Sequence, residues 1–181
     1  MITDIKIGIT GLPGSGKTYA LLRVIEMLKE EDITLGGMID EPVGDGRHKT
    51  GFTVRDLATG ESAVFAGNDI ESKIVVGKMG VDIAKLEEVG VAAIRKAIEG
   101  CDLIIIDEVG KMEVECPAFI DAVREALDAD KPMIITLHKK SRNPLLQDIR
   151  RRDDVRILEV TPTNRNILPY KIVRLMNGEN V

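Results

Sequence analysis

Apolar residues fall along this chain in two rhythms. Short runs at Ile5 to Thr10, Gly37 to Ile39, Leu103 to Asp107, Met133 to Leu137 and Val155 to Val160 have the length of buried strands. Between them lie segments of helical period, of which Leu21, Val24, Ile25 and Leu28 at i, i+3, i+4 and i+7 form the clearest apolar stripe. Helices are predicted at Lys17 to Glu30, Ile83 to Ile98, Ala118 to Leu127, Leu145 to Arg151 and Ile167 to Met176, the last with Pro169 in its first turn. Strands alternating with helices predict an α/β fold, a mainly parallel sheet with helices on both faces.

Residues 43 to 66 break that rhythm. Gly44, Gly46 and Gly51 loosen the chain, and then Phe52 to Leu57 and Glu61 to Phe65 flank Ala58-Thr59-Gly60. The pattern predicts a β-hairpin inserted after the second core strand. With 181 residues, 44% of them hydrophobic, and no long linker or low-complexity tract, residues 1–181 are expected to form one domain.

Between the first strand and the first helix stands Gly11-Leu12-Pro13-Gly14-Ser15-Gly16-Lys17-Thr18, which fits G-x-x-x-x-G-K-[ST]. A strand before and a helix after make this a phosphate-gripping loop rather than a chance match. Glycines let backbone N–H groups crowd round phosphate oxygens, and the helix N-terminus adds positive partial charge. Lys17 would reach the β and γ phosphates, and the Thr18 hydroxyl would coordinate Mg²⁺, a cation that prefers oxygen ligands.

The run Leu103-Ile104-Ile105-Ile106 ends in Asp107-Glu108. Beside a phosphate loop, such a strand brings a carboxylate to the metal, so Asp107 is expected to hold Mg²⁺ directly or through a water. Glu108 is placed to orient or deprotonate the attacking water, a role that contributes typically ~10²- to 10⁴-fold. Lys17, Asp107 and Glu108 are thus the catalytic candidates, and Thr18 and Asp107 the metal ligands. The strand Met133 to His138 offers Thr136 or His138 to the γ-phosphate. Lys139, Lys140, Arg142, Arg150, Arg151 and Arg152 form the one basic concentration, from which an arginine could lie over the phosphates. The chain carries no Asn-Lys-x-Asp guanine-reading segment, which disfavours a regulatory GTPase.

Charge and cysteine content narrow the partners. A formal net charge of -5 repels a polyanion, so nucleic acid is not the expected partner. Cys101 and Cys116, without a C-x-x-C pair, and the distant His48 and His138 indicate neither a zinc site nor a disulfide framework. The start of the chain lacks a signal-peptide pattern, and no apolar run approaches the about 20 residues of a membrane helix. A cytoplasmic protein, acting as a monomer on nucleoside triphosphates, is the expectation.

Taken with Gly11 to Thr18, several further segments resemble one known group: Gly46-Arg47 with Gly51-Phe52, Val76-Gly77-Lys78, Asp107-Glu108-Val109-Gly110-Lys111-Met112-Glu113, His138-Lys139-Lys140-Ser141, and Val160-Thr161 with Asn164-Arg165. The chain is similar, nearly end to end, to the small P-loop nucleoside-triphosphatases of thermophilic bacteria and archaea, relatives of the animal cancer-related nucleoside-triphosphatase. The resemblance implies a three-layer sandwich related to RecA and nucleotide kinases, and Mg²⁺-dependent hydrolysis of NTP to NDP and phosphate with broad base tolerance. It also implies nucleotide contacts from Gly11, Leu12, Pro13, Gly14, Ser15, Gly16, Lys17 and Thr18, and from Leu103, Ile104, Ile105, Ile106, Asp107, Glu108, Val109 and Gly110. Arg47 and Lys78 are carried over as residues that approach the nucleotide, although His48-Lys49-Thr50 lengthens the spacing before Gly51.

Two other readings share the same core. A nucleotide or small-molecule kinase would use the insert and the arginine-rich segment as acceptor pocket and lid. A nucleotide-dependent switch would hydrolyse slowly and act through a partner.

Overall fold

The structure is a computed structural model that describes residues 2–45 and 47–180; Gly46, one of the residues behind the resemblance, lies outside them. In chain order the strands are β1 (Lys6–Gly11), β2 (Leu35–Asp45), β3 (His48–Asp56), β4 (Ser62–Gly67), β5 (Val75–Val76), β6 (Met79–Val81), β7 (Leu103–Val109), β8 (Met133–His138) and β9 (Val155–Glu159). The helices are α1 (Lys17–Leu28), α2 (Ile83–Lys85), α3 (Ala92–Gly100), α4 (Pro117–Asp128), α5 (Pro144–Arg151) and α6 (Leu168–Met176). A π-helical stretch, Leu86–Val91, joins α2 to α3, so the helix expected from Ile83 is continuous but unevenly wound.

The nine strands of the described residues form one sheet in the order β5-β6-β4-β3-β2-β7-β8-β1-β9. The five strands from β2 to β9 pair in parallel, as the strand–helix alternation predicted. From β2 outward the pairing turns antiparallel through β3, β4, β6 and β5, which makes the sheet mixed. The expected hairpin is the β3–β4 pair, and the buried Asp56 shapes its turn by accepting from the N–H groups of Ala58 (2.9 Å) and Thr59 (3.2 Å). It is not a separate insert: β2 runs well past the expected Ile39, and its outer half pairs with β3.

Alternation along each parallel strand sends side chains to opposite faces, and each face has its own helix layer. Leu103 and Ile105 join Ile7, Ile9 and Ile134 against Leu21, Val24, Ile25 and Leu28 of α1 and Ile172, Leu175 and Met176 of α6. Ile104 and Ile106 turn the other way, with Met133 and Ile135, onto Ile94, Phe119, Val123 and Ile149 of α3, α4 and α5. The two dry layers fix the C-terminal ends of β1, β7, β8 and β2 side by side. Crevices beyond the carboxyl ends of parallel strands are where such folds bind ligands.

Candidate functional site

Strand β1 ends at Gly11, α1 begins at Lys17, and the five residues between wrap the helix N-terminus. Gly14 (φ 77°) and Gly16 (φ 106°) adopt left-handed conformations that a side chain would oppose, and the loop's N–H groups depend on them for their direction. Lys17 Nζ donates to Gly11 O at 3.2 Å, which holds the ammonium across the mouth of the loop. An anion seated here meets backbone N–H groups, a helix N-terminus and a cation together.

At the end of β7 the ladder with β8 slips between Ile106 and Val109. Bulges of this kind re-aim side chains. Asp107 is 1% exposed, and Glu108 is half-buried and lines the adjoining cavity. The two Asp107 oxygens are used separately: Oδ1 accepts from Thr136 Oγ1 at 2.6 Å, and Oδ2 from Thr18 Oγ1 at 3.4 Å. Burial pushes the Asp107 carboxyl up to about 7, against the hydrogen bond from Thr136, and the nearby Glu108 and Glu113 charges add to the rise. A buried carboxylate and a hydroxyl side by side form an oxygen donor pair suited to a small divalent cation, whose charge would oppose that burial penalty.

A cavity of about 550 Å³ opens beside the loop, running from Pro13, Gly14, Gly16, Lys17, Thr18 and Tyr19 past Glu108 and His138 to Asp40, Pro42, Phe52 and Met112. Among the described residues, Asp40 Oδ1, Ser15 Oγ and His138 Nδ1 are buried without a hydrogen-bond partner. Burial, then the neighbouring Glu113 charge, holds the Asp40 carboxyl well above the usual carboxylate range. Glu113 is raised by burial too, although its hydrogen bond with Asp40 opposes the rise. A Cβ placed on Gly110 would stand 2.9 Å from Glu113 Oε2 and 3.0 Å from Glu108 Oε1, so these carboxylates converge on one point. Burial, followed by the Lys17 charge, lowers the His138 imidazole below its ordinary value. A smaller recess of about 200 Å³ lies on the other side of the loop, between Leu12, Pro13, Gly14 and Ser15 and the chain from Glu159 to Pro162.

The residues expected at the site divide clearly. Those of the phosphate loop, with Asp107, Glu108 and His138, converge. Leu103, Ile104, Ile105, Ile106 and Val109 are fully buried in the sheet, where their side chains carry Asp107 and Glu108 to the rim. Thr136, offered for the γ-phosphate, is fully buried and spends its hydroxyl on Asp107. Arg150 donates to the carbonyls of His138, Lys139 and Ser141, and Arg152 to Asp128, Asp154 and the Leu127 carbonyl, so both brace the turns around them. Arg47 and Lys78 are exposed at the β2–β3 and β5–β6 turns; the cavity takes Lys49 and Val76 from those regions instead. Sequence reasoning missed Asp40 and Pro42, and it named Phe52, Met112 and Glu113 only as parts of motifs. An acid directly after the apolar run Gly37 to Ile39, two residues before Pro42, was the available signal.

The chain matches the family model described as NTPase over residues 6–173. It is 42% identical over 175 residues to a protein of Thermoplasma volcanium named nucleoside-triphosphatase THEP1, covering 97% of this chain and 98% of that one. A protein of the same name from Thermoplasma acidophilum is 41% identical, with 97% of each chain covered. Among solved structures, the crystal structure of THEP1 from Aquifex aeolicus superposes with a TM-score of 0.83 at 31% identity, covering 95% of this chain and 99% of that one. The solution structure of a human cancer-related nucleoside triphosphatase gives 0.81 at 30% identity, covering 98% and 100%.

Proposed function

We propose that this chain, which belongs to the NTPase family and is a nucleoside-triphosphatase, hydrolyses NTP to NDP and phosphate with the aid of Mg²⁺ and with little regard for the base. The observation that carries this reading is the run of contacts from Thr18 through Asp107 to Thr136, whose Thr18 end lines the same cavity as Lys17 and Glu108. Gly11 to Thr18 grip the phosphates with backbone N–H groups, and Lys17 neutralises charge on the β and γ oxygens. Thr18 and Asp107 hold Mg²⁺, which when bound supplies further neutralisation of the phosphate oxygens.

Glu108 accepts a proton from the attacking water as its oxygen bonds to the γ-phosphorus. The bond from that phosphorus to the β–γ bridging oxygen breaks, and NDP leaves with the electron pair. Thr136 holds Asp107 in one rotamer so that its second oxygen faces Thr18. Base tolerance fits a grip made on phosphates and a chain without a guanine-reading segment. Action as a monomer is part of this reading. Among the described residues no helix is long and apolar enough to cross a membrane, which is consistent with a cytoplasmic setting.

The test is phosphate release from ATP, GTP, CTP and UTP, with Mg²⁺ and with chelator. Release from all four that stops with chelator is the expected result. Release from one nucleotide alone, or undiminished by chelator, would overturn the reading.

A further inference from the structure

Hydrolysis needs room for the triphosphate chain and a water beside Lys17 and Glu108, and the cavity extends past them. Strand β7 carries Asp107 and Glu108; β8 and β1, which leads to the phosphate loop, lie to one side of it, and β2 and β3 to the other. Asp40 stands near the end of the pairing with β7, just after the Ile39–Asp107 partners, so its carboxylate lies beyond the catalytic acids as seen from the loop. From there the cavity continues over Pro42, Phe52, Val76 and Met112. That wing is walled by apolar side chains and floored by carboxyls, the composition of a small-molecule site.

The floor holds an unsatisfied acceptor. Asp40 is 8% exposed and lines the cavity; its carboxyl pairs with that of Glu113, and among the described residues no N–H or hydroxyl donates to its Oδ1. A buried acceptor that no donor reaches destabilises the fold, more so when charged, so a protein that keeps one there has a use for it. Water attack on a phosphate requires neither this acceptor nor an apolar wall. The Phe52 ring, with Lys49 Nζ 5.8 Å from its centroid, offers a face for a flat or cyclic body.

We propose that this wing is the site of a phosphoryl acceptor, a ring-bearing alcohol with at least two hydrogen-bond donors, and that the protein transfers the γ-phosphoryl group to it. The proposal rests on the phosphate placement given above and seats the nucleoside in the recess between Leu12 to Ser15 and the chain from Glu159 to Pro162, clear of the wing. One hydroxyl takes the position of the attacking water: its oxygen bonds to the γ-phosphorus, its proton passes to Glu108, and the bond to the β–γ bridging oxygen breaks to release NDP. A second donor on the ring satisfies Asp40 Oδ1, and the ring lies on Phe52, Pro42 and Met112. The products are NDP and a phosphate monoester. Glu113, which shares the floor with Asp40, is a positioning residue.

The test measures partition. The enzyme with γ-labelled ATP and Mg²⁺ is given in turn the four ribonucleosides, ribose and myo-inositol, and labelled ester and labelled phosphate are separated and counted. At least one ring alcohol is expected to form ester faster than phosphate is released. The ester-to-phosphate ratio should fall about tenfold or more in Asp40→Ala, the effect of one lost buried hydrogen bond, and likewise in Val76→Trp, which narrows the wing without touching Asp40. Because both products need a folded, nucleotide-bound enzyme, their ratio separates the acceptor site from folding. Phosphate release with no ester from any probe, or a ratio unmoved in both variants, would overturn the proposal and leave the hydrolase intact. Ester without phosphate would instead sink the water reaction, and neither product would sink both.

Discussion

Removing the buried charge at Asp107 should change how stability depends on pH and on Mg²⁺. The carboxyl is buried and is raised from an ordinary 3.8 to about 7, chiefly by desolvation. Below about pH 4 both folded and unfolded chains hold the proton, and the group contributes nothing. As pH rises toward 7 the unfolded chain loses the proton while the folded one keeps it, so stability falls. Above about 7 both are ionised, and the loss levels off at roughly 4 kcal/mol, an upper figure because water penetration softens such burial. Asp40 and Glu113 are shifted in the same direction, so the wild type should lose more than Asp107 alone accounts for. The share of Asp107 is therefore read as the difference between wild type and Asp107→Asn in chelator, by urea unfolding across pH 4 to 8. The variant should show the shallower decline. Mg²⁺ should raise wild-type stability above about pH 7 and do little near pH 5, and it should do little for the variant at either. Parallel pH profiles for the two proteins, or a Mg²⁺ effect equal at both pH values, would refute the reasoning.

Thr136→Val removes the 2.6 Å bond to Asp107 while keeping its volume. It should cost about 1.5–3 kcal/mol in stability and weaken Mg²⁺ affinity roughly 10- to 100-fold, with Thr136→Ser restoring both, as measured by unfolding and Mg²⁺ titration of activity. Arg150→Ala loses its bonds to three carbonyls and should destabilise by roughly 1–3 kcal/mol, yet phosphate release per folded molecule should stay within about twofold; a loss of about 10³-fold would make it an arginine finger after all. Lys17→Ala should weaken nucleotide binding about 100-fold or more, measured by calorimetry, with the Tm in nucleotide-free buffer little changed.

Local patterns told most about the core and the phosphate loop. Gly11 to Thr18 are contiguous, and the strand before them and the helix after them follow from periodicity within a few residues. The parallel strands β1, β7, β8 and β9 were legible for the same reason, because strands buried on both faces are unbroken apolar runs. β2 was legible only near Gly37 to Ile39: beyond Asp40 the sequence Glu41-Pro42-Val43-Gly44-Asp45 reads as turn, yet β3 pairs along it and holds it extended. Propensity yields there to the partner strand.

The wing of the cavity was hidden for another reason. Asp40 and Glu113 are far apart in sequence, and nothing in either neighbourhood announces that folding will bury them together. The role of Thr136 depended on which neighbour its hydroxyl would meet, and the fates of Arg150 and Arg152 on which carbonyls and acids lay within reach. Such contacts are properties of the packed layers. Residue type could nominate these side chains but not assign them.

Nucleotide hydrolysis through Glu108 is tested most directly by Glu108→Gln, which keeps the shape of the side chain and removes its basicity. Equilibrium binding of ATP and phosphate release from ATP, GTP, CTP and UTP should be measured on the same preparation. Binding within a few-fold of wild type, with release from all four nucleotides down about 10²- to 10⁴-fold, is the predicted result. Phosphate release at the wild-type rate would contradict the account.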